Sequence, residues 1–205
     1  MGVYEERVLP RLVEVTCGGA EMERWRRRAA EGLHGTVVEI GFGSGLNLPV
    51  YPGEVTRVLA VEPSELARER SRRHHGHPGL RVDHVGLDGE SLPLPDDSCD
   101  GAFATFTLCT IPRPEVALAE LRRVLRPGGR FHFLEHGRSP DDGVRRWQRR
   151  FEPVQRRVAG GCHLTRDVLA MVTEAGFTVE RVQSRYAKGP KPWTWFTVGA
   201  AVSPD

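Results

Sequence analysis

The run Thr36-Val37-Val38-Glu39-Ile40-Gly41-Phe42-Gly43-Ser44-Gly45 constrains this chain more than any other stretch, because an apolar strand passes directly into three glycines at alternate positions. Glycine lacks Cβ, so such a turn takes positive φ and lets a ligand lie against bare backbone amides at the start of a following helix. A tight strand-to-helix connection gives the same pattern, and the next strand separates the two readings. Arg57-Val58-Leu59-Ala60-Val61 ends in Glu62. That places an acid about 20 residues beyond the loop, where an α/β nucleotide site accepts hydrogen bonds from two ribose hydroxyls.

The glycine spacing also separates two cofactors. A dinucleotide fingerprint, G-x-G-x-x-G, counted from Gly41 needs its third glycine where Leu46 stands. NAD is therefore disfavoured. The arrangement E-x-G-x-G-x-G, headed by Glu39, resembles motif I of the class I methyltransferases that use S-adenosylmethionine. Residues 88–100 resemble that family's D-x-x-x-L-P-x-P-D-x-x-x-D loop and fourth strand, and Leu125-Arg126-Pro127-Gly128-Gly129 resembles its L-[RK]-P-G-G turn. The turn's physics is structural: proline stops a helix and glycine permits a left-handed residue. The resemblance implies S-adenosyl-L-methionine as cofactor and S-adenosyl-L-homocysteine as product. It also implies a site built from Glu39, Gly41, Gly43, Ser44, Gly45 and Asn47 in the first loop and from Glu62 and Pro63 at the ribose. Asp88, Gly89 and Glu90 would lie at the adenine, with Thr105 and Phe106 beside the methionine.

A narrower match follows in the C-terminal half. Leu108-Cys109-Thr110-Ile111, Phe133-Leu134-Glu135-His136, Phe151-Glu152-Pro153 and Gly161-Cys162-His163-Leu164-Thr165-Arg166 look like the mammalian methyltransferase-like proteins that methylate alkyl thiols and sit on membranes. Quinone C-methyltransferases and bacterial phospholipid N-methyltransferases are similar at greater distance. The implied reaction is methyl transfer to a small, lipophilic acceptor, at a thiol sulfur. The alternatives are C-, O- or N-methylation of a quinol, phenol or phospholipid headgroup, and, in another class, a non-catalytic S-adenosylmethionine-binding module. The chain departs from the family pattern at Phe42, expected to crowd the methionine end, and at Glu62-Pro63-Ser64, which replaces an aspartate-led turn.

Element order supports an α/β fold: a Rossmann-like, mostly parallel seven-stranded sheet with an antiparallel last strand and helices on both faces. The spacing predicts helix over 4–30 with a break at Gly18-Gly19, and strands at 36–41, 57–61, 80–85, 100–106 and 130–136. Helices are expected at 44–50, 64–74 and 114–125, and two antiparallel strands flank Lys188-Gly189-Pro190-Lys191-Pro192. The whole chain reads as one domain: a helical cap over 1–31, a cofactor core over 36–136, lid and substrate helices over 141–175, and a strand pair over 177–201.

Three residues are candidates for catalysis. His136 ends the fifth strand, while His163 and Arg166 sit beside Cys162 in a turn where Thr165 is the expected N-cap of the next helix. No metal is expected; His74-His75-Gly76-His77 reads as a solvated helix end, with no carboxylate or cysteine near to close a site. Trp147, Phe151, Val154 and Val158 form one apolar stripe among arginines, read as a lid helix packed on the domain that also suits anionic lipid. Arg24, Arg26, Arg27 and Arg28 read as a solvated helix face.

With 205 residues, 39% hydrophobic content and a net charge of +2, the chain can bury one core and carries no strong field for nucleic acid. The partner is then a small-molecule substrate, without nucleic acid. No stretch approaches the ~20 apolar residues of a membrane span, and the four cysteines are dispersed. A cytoplasmic protein with peripheral contact to the inner membrane face is expected.

Overall fold

The computed structural model describes residues 17–204. The expected helix over 4–30 therefore lies partly outside the described residues; within them, α1 spans Ala20–Ala30 after Gly19, whose φ is 93°. Seven strands follow: β1 (Gly35–Ile40), β2 (Val55–Val61), β3 (Arg81–Gly86), β4 (Cys99–Thr105), β5 (Leu125–His136), β6 (Thr178–Tyr186) and β7 (Trp195–Val202). They form one sheet in the order β3-β2-β1-β4-β5-β7-β6. The first five run parallel, and β7 lies antiparallel between β5 and β6. The expected Rossmann-like methyltransferase architecture is present.

The central strands are buried on both faces, as parallel strands under helices must be. Alternation sorts their side chains into two cores. Val38, Ile40, Phe131 and Phe133 pack beneath α3 (Pro114–Val124) and α5 (Val168–Glu174), meeting Leu118, Leu121, Val172 and Phe177. Val37, Val58, Phe103 and Leu134 face the other way, against Trp25, Ala29 and Phe196. His132 lies on this second face, its Nδ1 2.8 Å from the Ala29 carbonyl, so the fifth strand is tied to the end of α1. Burial pushes its pKa down to about 4, so the ring is a neutral donor.

Several boundaries differ from expectation for local reasons. The stretch 44–50 forms no α-helix, only a 3-10 turn over Leu48–Val50, because Pro49 and Pro52 deprive the next turn of donors. The glycine loop thus leads into no helix N-terminus. The first of the next two helices, α2 (Glu65–Ser71), is shorter than expected, while α3 stops at Val124 and β5 begins at once at Leu125. The Pro127-Gly128-Gly129 turn interrupts the pairing register, Cys99 facing Leu125 and Gly101 facing Arg130. Between β6 and β7 the chain makes one helical turn, α6 (Lys191–Thr194), so Trp193 is helical rather than extended. The long arginine-rich helix is α4 (Asp142–Val158).

β1 has β2 on one side and β4 on the other. The chain's crossovers diverge there, opening a crevice beyond the carboxyl ends of these strands.

Phe131 is fully buried and packs on Phe133 and Phe177, with ring centroids 5.5 Å away in each case. Phe131→Ala should cost about 3–5 kcal/mol. Urea unfolding would register it as a lower midpoint at unchanged slope.

Candidate active site

The glycine loop is bent where the sequence allows it. Gly41 has φ 68°, and a Cβ there would lie 2.1 Å from Thr107 Oγ1, so the loop and the turn after β4 touch only because residue 41 has no side chain. Glu62, 8% exposed at the end of β2, accepts from the Gly43 amide at 2.8 Å and from the Ser64 amide at 2.8 Å. Burial raises its pKa against the pull of these two bonds. His74 Nδ1 meets the Ser44 carbonyl at 2.9 Å, and His77 Nε2 meets that of Val55 at 2.9 Å. Those histidines anchor backbone and are not the solvated end expected. The Phe42 ring packs edge-on against His84 of β3 with centroids 5.4 Å apart, and both residues line the crevice beyond the strand ends.

Beside the loop lies a buried polar network. Arg26 is 5% exposed, against the expectation of a solvated face. Its Nη1 donates to Asn47 Oδ1 at 2.8 Å and to Thr105 Oγ1 at 2.6 Å, and its guanidinium lies over the Phe106 ring, 5.5 Å from the centroid. Its Nε is buried without a partner. Asn47 Nδ2 donates to Thr105 Oγ1 and, at 2.7 Å, to Glu39, which also accepts from the Tyr51 hydroxyl at 2.5 Å. Burial pushes the Glu39 carboxyl up to about 7, outweighing the Tyr51 and Asn47 bonds and the Arg26 charge. The sequence did carry a signal for Arg26. Met22, Trp25 and Ala29 set an apolar stripe along α1, and Arg26 falls on it, four residues from Met22 and three from Ala29.

The third wall is the turn after β4. Phe106 holds φ 55°, a left-handed conformation that a bulky residue seldom keeps outside a functional site. Glu135, fully buried, accepts from the amides of Thr107, Leu108 and Cys109 at 2.7, 2.8 and 3.2 Å. This role within the Phe133-Leu134-Glu135-His136 segment was not legible from sequence, because the donors are backbone groups.

These walls enclose a cleft of about 2180 Å³. Gly41, Gly43, Ser44, Glu62, Pro63, Asp88, Gly89, Thr105 and Phe106 line it, as does Arg26. Four other expected cofactor residues do not. Gly45 lies outside the lining, and Glu39 and Asn47 stand behind it in the network. Glu90 turns away to Arg113, accepting from its backbone amide at 2.8 Å and its Nε at 2.7 Å. On the far side, Pro153, Val154, Arg156 and Arg157 of α4 and residues 159–161 close the cleft.

The three catalytic candidates also lie outside the lining. Arg166 caps the carbonyls of Leu108 and Ile111, the latter at 2.8 Å. His163 Nδ1 is 3.1 Å from Glu152, whose other oxygen accepts from the Thr165 amide. Burial alone would raise Glu152, but these two partners outweigh it and hold the carboxyl below its ordinary value. His136 stacks behind Phe106 with centroids 6.2 Å apart, its Nε2 3.0 Å from Cys162 Sγ. The N-cap of α5 is Asp167, which accepts from the Ala170 amide, and not Thr165.

The profile of a family described as a methyltransferase domain matches residues 38–133. A thiol S-methyltransferase of Rattus norvegicus is 32% identical over 168 residues, covering 80% of this chain and 67% of that protein. A phosphatidylethanolamine N-methyltransferase of Cereibacter sphaeroides is 32% identical over 123 residues, 58% of this chain and 60% of its own. Among solved structures, an S-adenosylmethionine-dependent methyltransferase of Thermotoga maritima superposes with a TM-score of 0.67 at 22% identity, covering 94% of each chain. That likeness carries the fold alone. The chain spans about two thirds of the length of the mammalian relatives it matches. It belongs to the class I S-adenosylmethionine-dependent methyltransferases, an enzyme of that type with S-adenosyl-L-methionine as cofactor.

Glu39 yields a pH prediction. Its carboxyl titrates near 7 in the fold against an ordinary 4.5, so between those values the folded protein keeps a proton that the unfolded chain has released. The contribution is whole below pH 4.5 and is lost as pH rises through about 7. The stability of the wild type relative to Glu39→Gln should therefore fall across that window in urea titrations at stepped pH. A flat difference would mean that Glu39 is an ordinary carboxylate.

Proposed function

We propose that the protein transfers the methyl group of S-adenosylmethionine to the sulfur of a small, lipophilic thiol. The observation that carries this reading is the 80% coverage of the chain by its match to a thiol S-methyltransferase. That match runs over 168 residues, whereas the phospholipid enzyme matches over 123, 58% of this chain.

In this reading the cofactor lies along the cleft with its charges met at both ends. Glu62 accepts from the ribose hydroxyls, and Asp88 and Gly89 take the adenine edge. Gly41, Gly43 and Ser44 follow the methionine, past Pro63, Thr105 and Phe106. Arg26, which lines the cleft with a guanidinium already oriented by Asn47 and Thr105, holds the methionine carboxylate. Glu39, Gly45 and Asn47 support that end from behind. Glu90 contributes backbone only.

The reaction asks little covalent chemistry of the protein. The acceptor sulfur attacks the sulfonium methyl in line, the S–CH3 bond forms as the old C–S bond breaks, and the pair returns to the departing sulfur. Alignment of the two sulfurs supplies on the order of 7–11 kcal/mol in favourable cases. The acceptor must first lose its proton, since a free thiol has a pKa of roughly 8.5. His163 and Arg166 spend their polar atoms on Glu152 and on the 108–111 carbonyls, so we assign them to holding the wall; His136, stacked behind Phe106, does not line the cleft.

The acceptor enters under α4. Phe151 and Val154 are 39% and 59% exposed on that helix, beside Arg149, Arg150, Arg156 and Arg157, so the apolar stripe packs on the domain only in part, with Trp147 meeting Trp193 edge-on at a centroid distance of 4.7 Å. A basic helix with an exposed apolar face suits an anionic lipid surface, from which a lipophilic acceptor reaches the cleft. Among the described residues no helix is long and apolar enough to cross a membrane.

Release of S-adenosyl-L-homocysteine with alkyl thiols, set beside quinol, phenol and phosphatidylethanolamine, tests this. Thiol-dependent turnover is expected, falling in Glu62→Ala and in Arg26→Gln through weaker cofactor binding, by about 10- to 100-fold for loss of a charge-assisted bond worth ~1.5–3 kcal/mol. Turnover confined to the phospholipid or the quinol would replace the thiol reading with that one.

A further inference from the structure

Behind Phe106 lies a group of side chains that the cofactor does not use. The Sγ atoms of Cys109 and Cys162 and a ring nitrogen of His136 lie within 4.8 Å of one another. The sulfurs are buried, and the second nitrogen of His136, Nδ1, is buried with no partner. Their positions in the chain form no short motif.

The backbone brings the three together independently of any ligand. The Cys109 amide is fixed on buried Glu135, whose neighbour His136 ends β5. The turn carrying Cys162 is zipped to the same place: the His163 amide donates to the Cys109 carbonyl at 2.7 Å, and the Gly161 amide to that of Arg156 at 2.8 Å. Thr110 and Gly161, each next to one of the cysteines, line the cleft, as does Phe106, which stacks on His136. The cluster therefore sits one residue behind the cleft wall, on the acceptor side.

Two thiols and an imidazole make a soft ligand set suited to a d10 ion. Around zinc such ligands stand roughly 3.5 Å apart, at metal bonds of about 2.3 Å to sulfur and 2.0 Å to nitrogen, so side-chain rotation alone converts the present spacing. Three protein ligands with a vacant fourth position mark reactive rather than structural zinc.

We propose that Cys109, His136 and Cys162 bind one zinc ion, and that its fourth position takes the acceptor thiol as a thiolate; this second half rests on the thiol reading above. Zinc binding releases the two cysteine protons to solvent, and acceptor binding releases a third. The bound sulfur then forms its bond to the methyl carbon while the sulfonium C–S bond breaks, its pair passing to S-adenosyl-L-homocysteine. Zinc keeps its oxidation state throughout. The thioether product, neutral and weakly coordinating, dissociates.

The test loads metal-free, reduced protein with zinc alone in competition with a chromophoric chelator. One equivalent per chain is expected, with alkylation of Cys109 and Cys162 suppressed in mass-mapped digests. Affinity should drop by more than about 100-fold in Cys162→Ser and in His136→Gln, since even loss of an outer-shell partner costs 10- to 100-fold, while Cys99→Ala matches the wild type. Retained S-adenosylmethionine binding certifies that each variant is folded, and the alkylation map needs no variant. With cobalt in place of zinc, the sulfur-to-metal absorption should change when an alkyl thiol is added. No bound zinc, or wild-type affinity in both ligand variants, would overturn the site, and full thiol turnover by the metal-free protein would overturn its part in the reaction; all three leave the thiol reading standing. Tight zinc with a cobalt spectrum indifferent to every thiol, together with no thiol turnover, would overturn the thiol reading and the second half of this proposal with it.

Discussion

The buried pairing of Arg26 with Glu39, through Asn47 and Thr105, is the constraint on which the site rests. Taking either charge out of water alone costs several kcal/mol, and the cost is offset only when geometry and remaining hydrogen bonds are good. Here one charge comes from α1, the other from β1, and the two bridging side chains from the loop after β1 and from the end of β4. Four segments must therefore be in register before any one of them is satisfied. Tyr51 completes the set from beyond the proline-bounded turn. The network fixes the wall of the cleft that Arg26 and Thr105 line, and fixed walls are what a reaction driven by alignment needs.

Two further carboxylates do similar work on backbone. Glu62 binds the Gly43 and Ser64 amides, and Glu135 binds three successive amides of the turn after β4. Both acids stand at the carboxyl ends of parallel strands, where loops would otherwise leave donors unsatisfied. The glycine loop leads into a 3-10 turn and not an α-helix, so it lacks the dipole that suits a phosphate. That agrees with a cofactor whose chain carries no pyrophosphate. The sheet thus supplies the crevice, while buried acids shape its rim.

The opposite side of the cleft is built differently. It depends on contacts between the turn after β4, the end of β5 and the turn after α4, tied by Arg166, Glu152 and the His163 amide. α4 contributes one wall with Pro153 and Val154 and keeps much of its apolar stripe exposed. A rigid wall at Arg26 and a partly exposed cover are what the proposed entry of a lipophilic acceptor asks for.

What the sequence determined by itself was whatever is local or periodic. The glycines at 41, 43 and 45 fixed a left-handed loop, Glu62 followed the next apolar strand, and alternating elements dictated the layered sheet, because φ, hydrophobic period and strand-to-strand spacing are properties of neighbours in the chain. The absent glycine at 46 was enough to set aside a dinucleotide. Arg26 was half visible, since its apolar stripe was readable but its partners, 21 and 79 residues away, were not. Only the tertiary structure decided that Glu90 turns to Arg113, that His163 and Arg166 brace a wall, and that Cys109, His136 and Cys162 converge. Each of those facts joins side chains to groups far along the chain, often to backbone amides and carbonyls that every residue possesses and no residue letter distinguishes.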